Sequence, residues 1–176
     1  MKIAIIVFVT LLIAVIVAFA FRNWQVRRAQ AALAAYLEAL PLVAKDFTTP
    51  EGAILCLEDA YVRHDIEAAV ACKDFVTESR LMIKKLLDEH NKPYPDDPAI
   101  IEEAAKTLEL SFRKHTAESW PNFEGVQPFF IKREPYADKV VIVTEACRSP
   151  DGGLSQQRIL VTETPKGWRV LNPLSE

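Results

Sequence analysis

Residues 48–75 read Thr48-Thr49-Pro50-Glu51-Gly52-Ala53-Ile54-Leu55-Cys56-Leu57-Glu58-Asp59-Ala60-Tyr61, then run from Val62 to Phe75. The stretch predicts two helices joined by a tight break. Thr48 caps the first, and Glu51 stands three residues on, at capping-box spacing. Pro50 fits the first turn, where its missing N–H costs nothing. Ala53, Ile54, Leu57, Ala60 and Tyr61 share one apolar face. Arg63-His64-Asp65 forms the break. Asp65 then caps a second helix, Ile66 to about Phe75, with Val70 and Phe75 as its apolar anchors.

Downstream, Thr77 opens a third helix with Leu81, Leu86 and Leu87 as core contacts. Residues 91–98 are a loop by composition. A fourth helix starts at Pro98, capped by Asp97, and repeats Ile100, Ile101, Ala104, Ala105, Leu108 and Phe112 at helical spacing. From Val126 the period changes to that of strands. Phe129-Phe130-Ile131 lies in a strand that stops near Pro135, and Lys139–Arg148, Leu154–Thr164 and Trp168–Leu171 follow. Ser149-Pro150-Asp151-Gly152-Gly153 and Pro165-Lys166-Gly167 are the turns between them. Helices first and an antiparallel meander afterwards make an α+β layout, with three to four helices on one face of a sheet. With Asp151-Gly152 as a two-residue turn, Glu145 opposes Arg158 and Val143 opposes Leu160.

Upstream, Ile3–Phe21 is an apolar run interrupted only by Thr10. Its helix would span about 28 Å, close to a bilayer core. Lys2 and the Ala18-Phe19-Ala20 pattern also suit a cleaved signal, but the run exceeds the usual signal core. Residues 1–21 are therefore read as a transmembrane anchor, 22–47 as a helical stalk or linker, and 48–176 as the folded domain. Arg22, Arg27 and Arg28 follow the run, so the positive-inside tendency favours a cytoplasmic domain.

With Lys2 set aside, residues 22–176 hold 20 cations against 24 acids. That balance argues against nucleic-acid binding, which needs cations to neutralise phosphates. The three cysteines, Cys56, Cys72 and Cys147, form no CxxC pair, and His64, His90 and His115 have no metal-ligand spacing. Cys56 and Cys72 read as small buried apolar groups. No GxSxG, Walker or GxGxxG motif is present. The sequence thus points to no catalytic residue, no metal and no cofactor.

The Thr-Pro-Glu-Gly stretch at 49–52, the helix pair after it and a meander ending in Gly167-Trp168-Arg169-Val170 resemble the nuclear transport factor 2-like fold. The resemblance covers about 48–174. Within that fold, Thr49–Tyr61, Asp65–Val70 and the Pro150–Gly153 hairpin resemble bacterial immunity proteins, which bind and neutralise secreted toxins. It implies a cone of helices over a curved antiparallel sheet, and a cognate protein toxin as partner. Membrane contact runs through residues 3–21, and homodimerisation through the open sheet face is compatible with the fold.

Enzymes of the same fold place Asp, His, Tyr or Arg inside the cone. Here Tyr61, His64, Asp65, Glu145 and Arg158 are the groups to consider. Asp65 is occupied as a cap, Tyr61 reads as core, and Glu145–Arg158 reads as a cross-strand ion pair. Tyr61, His64, Glu145, Arg158 and Trp168 are the candidate pocket or binding residues, with Trp120, Phe123, Phe129, Phe130 and Tyr136 as further aromatic lining. The leading expectation is a non-catalytic, membrane-anchored immunity protein. The alternatives are a small-molecule-binding or enzymatic cone, and an anchored scaffold resembling the bridge proteins of type IV secretion. For the orientation, a reporter active only in the periplasm is expected to stay silent when fused after Glu176, and its activity would reverse the assignment.

Overall fold

The computed structural model describes residues 2–91 and 97–173, with side chains from residue 19 onward except those of 20 and 173. The chain forms two compact units, 1–41 and 42–176. The first is a single helix, α1 (Lys2–Glu38). Among the described residues no helix is long and apolar enough to cross a membrane. The expected anchor falls mainly on residues whose side chains lie outside that description. So does most of the loop expected at 91–98.

The second unit is α+β. It holds α2 (Pro50–Val62), α3 (Ile66–Ala71), α4 (Phe75–Glu89) and α5 (Pro98–Glu118), followed by β1 (Gln127–Ala137), β2 (Val140–Arg148), β3 (Leu154–Thr164) and β4 (Gly167–Pro173). The strands form one antiparallel meander in the order β1-β2-β3-β4.

The cap of α2 is Thr49, not Thr48. Its Oγ1 accepts from Gly52 N at 3.0 Å, which leaves Pro50 as the first helical residue, the position proline prefers. Thr48 instead donates its hydroxyl to Asp46 at 2.6 Å. Gly52 is required by the chain that crosses the helix start. A Cβ there would stand 2.5 Å from the Asp46 carbonyl and 2.6 Å from that of Ala44. Glu51 reaches out of the turn to accept from Arg133 Nε of β1 at 3.1 Å. The residues of the sequence signature are thus accounted for by capping, helix start, an ion pair and a close approach.

The break after α2 is a Schellman turn. Asp65 N donates to Ala60 O at 2.9 Å and His64 N to Tyr61 O at 3.1 Å, with His64 left-handed at φ +54°. Asp65 caps α3 as expected, accepting from Ala68 N at 3.0 Å. The helix does not reach Phe75. Cys72 O accepts from Val170 N at 2.8 Å, and Asp74 N donates to Val170 O at 3.3 Å. This added rung on β4 ends α3 early. Asp74 then caps α4, accepting from Val76 N and Thr77 N at 3.1 Å each, in place of the expected start at Thr77. Leu86, expected in the core, is 57% exposed on α4.

The β2–β3 register is one residue off the expectation. Val143 pairs with Ile159, Thr144 with Arg158 and Glu145 with Gln157. Gly152 N donates to Ser149 O at 2.9 Å, Gly152 sits at φ +85°, and Ser149 N donates to Gly153 O at 2.9 Å. Those are the marks of a three-residue loop, a turn on Pro150-Asp151 followed by a left-handed glycine bulge. An odd loop in place of an even one moves every partner by one. Arg158 therefore pairs with Thr144, on the sheet face opposite Glu145.

The inner face of the sheet packs Val143, Ile159, Val161 and Val170 against Ala53, Ile54, Leu57 and Ala60 of α2, with Ala69 and Cys72 beside them. On the other face, Val140, Ile142, Leu160 and Leu171 cluster with Leu81 of α4. One buried ion pair locks the helices to β4. Lys73 Nζ lies 3.1 Å from Glu78 Oε2 and donates to Asn172 Oδ1 at 2.8 Å, while Asn172 Nδ2 donates to Glu78 Oε1. Phe75 and Phe112 flank the ammonium at 5.8 and 5.5 Å. Removing one charge leaves its partner buried alone. Lys73→Met is expected to destabilise by about 3–5 kcal/mol, and Lys73→Met/Glu78→Leu to recover most of that loss, as measured by urea unfolding.

Candidate functional site

The apolar stripe of α2 carries one misfit. Glu58 stands one turn after Ile54 and is only 8% exposed, so the packing that buries Ile54 and Leu57 takes a carboxyl down with them. On β2, Glu145 and Cys147 are two residues apart and so share the inner face with Val143. Glu145 is fully buried and Cys147 is 8% exposed. One donor atom from each of Glu58, Glu145 and Cys147 lies within 4.8 Å of the others.

The electrostatics of this cluster are unfavourable as bare charges. Burial first, then the Glu145 charge and a hydrogen bond to it, pushes the Glu58 carboxyl up to about 9. Burial also raises Glu145, against the hydrogen bonds it accepts from Gln157, Glu58 and Cys147. Gln157 Nε2 donates to Glu145 Oε2 at 2.6 Å. Burial, and then the two carboxylates, push the Cys147 thiol up to about 12. Oε1 of Glu58 and Oε1 of Glu145 find no hydrogen-bond donor among the described residues. The cluster therefore calls for one added positive charge, either a shared proton or a cation.

Beside it lies a cavity of about 80 Å³ between α2 and the sheet. Glu58, Tyr61, Lys73, Gln157 and Asn172 bring polar atoms to walls that are otherwise apolar, with Ile54, Leu57, Phe123, Ile159, Val170 and Leu171. At about 30 Å³ per water, it has room for two or three waters.

The structure separates the residues expected to form a site. Tyr61 lines the cavity, and its ring packs with Phe112, Trp120 and Phe123 at 6.5, 6.4 and 6.0 Å. Burial raises its hydroxyl out of the acid–base range. His64 is exposed at the Schellman turn and stacks on Trp120 at 4.9 Å. It faces a surface recess of about 230 Å³ with Asn122 and Glu124. Glu145 is at the acid cluster, while Arg158 is on the opposite sheet face. Trp168 packs at the rim of the inner core, and its backbone N–H donates to Phe47 O at 2.8 Å. The expected five thus supply two members near one site, Tyr61 and Glu145.

Sequence reasoning missed Glu58 and the partnership of Cys147. The available signals were the four-residue step from Ile54 to Glu58 and the Glu145-x-Cys147 spacing on a strand. Neither says that the helix and strand meet. No protein-family model, curated protein or solved structure matches this chain.

In chelator-treated protein, the native pair binds a proton that the unfolded chain releases above about 4.5, the ordinary glutamate value. Fewer protons on the unfolded chain mean that stability falls as pH rises from about 4.5 toward about 9. Glu58→Gln is expected to flatten that slope in melting temperature against pH. An identical slope in the variant would remove the shared proton from the account.

Proposed function

We propose that this chain is a non-catalytic binding protein, anchored in a bacterial inner membrane by residues 3–21, that neutralises a cognate protein toxin by occupying it. The observation that carries the reading is a groove between α4 and α5 of about 610 Å³. Met82, Ile83, Ile100, Ala104 and Leu108 line it, and among the described residues of its wall Glu103 is the one that carries a charge. Met82 and Ile100 are 53% and 46% exposed, and neither belongs to a core cluster. Apolar grooves between paired helices suit the insertion of a partner's apolar segment. The acidic balance of residues 22–176 favours approach of a basic partner.

The interior supports the same reading. A pocket for an organic substrate takes about 300 Å³ or more, whereas the cavity between α2 and the sheet is about 80 Å³. The cone reading of the fold has support of its own. Register shifts between Phe130 and Lys132, Pro135 and Ala137, and Ile159 and Val161 are bulges, which bend strands. That order of helices, then a bent meander, is the one expected of the nuclear transport factor 2-like immunity proteins.

Cells expressing the full chain are expected to survive the toxic product of the adjacent gene. Met82→Asp and Ile100→Asp are expected to weaken that complex about tenfold or more by calorimetry while leaving the melting temperature in place. Absence of both protection and binding by the unaltered chain would overturn the proposal.

A further inference from the structure

The geometry points to Glu58, Glu145 and Cys147 as a site for a single zinc-class divalent ion, tying α2 to β2. The histidine and cysteine spacing of the sequence gives no hint of it, and it is independent of the binding reading above.

The donor set comes first. Two carboxylates and a thiol converge from a helix and a strand, all buried, with one donor atom of each within 4.8 Å of the others. Ligands of a tetrahedral zinc ion stand about 3.5 Å apart, at metal distances of about 2.0–2.3 Å. Closing the set takes a movement of about 1 Å, within reach of side-chain rotation.

Unmet valence comes second. Glu58 Oε1 and Glu145 Oε1 are buried with no donor. A proton can bridge one oxygen of each carboxyl. A cation gathers all three donors and also compensates the buried charge.

The surroundings come third. Gln157 donates to Glu145 Oε2 at 2.6 Å, which orients that carboxylate and leaves its Oε1 buried and without a donor among the described residues. The cavity bounded by Glu58 and Gln157 can hold a water as fourth ligand. The sulfur selects against Mg²⁺ and Ca²⁺, which take oxygen ligands, and for a borderline ion of the zinc type.

The test uses the full chain, purified in detergent, stripped with a chelator and titrated with Co²⁺, Zn²⁺ or Mg²⁺. A single Co²⁺ per chain is expected to give a thiolate-to-cobalt charge-transfer band, which Zn²⁺ displaces. The melting temperature is expected to rise with the logarithm of zinc concentration and not with Mg²⁺. Cys147→Ser is expected to abolish the band, and Glu58→Gln to weaken zinc binding about tenfold or more. Cys72→Ser is expected to keep the band. Should the unaltered folded chain show neither band nor zinc-specific stabilisation, the cluster is neutralised by a proton and the metal site is wrong. A band that survives Cys147→Ser overturns it equally.

Discussion

The seat of α2 on the inner face of the sheet constrains most of what surrounds it. Ala53, Ile54, Leu57 and Ala60 meet Val143, Ile159, Val161 and Val170 with almost no exposed surface. Burying a side chain such as Ile54 or Leu57 contributes about 1.5–3 kcal/mol. Small residues at 53 and 60 let the helix sit close. Gly52 lets residues 44–46 cross its first turn. Once the stripe is seated, Glu58 is taken away from bulk solvent and delivered onto Glu145. The cost of that encounter is set by the helix packing, not by any local preference of the two glutamates.

The domain buries two ionisable clusters and resolves them differently. Lys73 and Glu78 carry opposite charges 3.1 Å apart, and Asn172 bonds both, although Glu78 Oε2 accepts no hydrogen bond among the described residues. The charges of that cluster balance without an added ion, and it ties α4 to the β4 edge. Glu58, Glu145 and Cys147 contain only acids, so their balance needs a proton or an ion from outside. A buried pair of opposite sign serves architecture, whereas a buried pair of like sign must recruit a partner.

The groove and the buried acid cluster are also separated in space by layer. The α4–α5 groove presents aliphatic side chains to solvent, with α4 reaching the second cluster through Leu81. The acid cluster lies under α2, on the inner face. An occupant of the groove would therefore leave the acid cluster untouched, and an ion under α2 would stabilise the domain without altering the groove.

Sequence by itself determined much of what is fixed within about four residues, although it set the caps of α2 and α4 at Thr48 and Thr77 in place of Thr49 and Asp74. The caps at Asp65 and Asp97, the helical break at His64, the order of helices before strands and the positions of the turns were all legible. They depend on side chains bonding the adjacent backbone and on where proline and glycine fit. Tertiary structure decided the rest. Pairing of Val170 with the backbone around Lys73 ended α3 at Ala71, although the sequence pattern runs on to Phe75. A three-residue loop rather than a two-residue one sent Arg158 to the face away from Glu145, because strand register is a matter of parity. Glu58 met Glu145 across 87 positions of sequence, a meeting that no local signal encodes. Periodicity marks which face of an element is buried, but only packing chooses the face it is buried against.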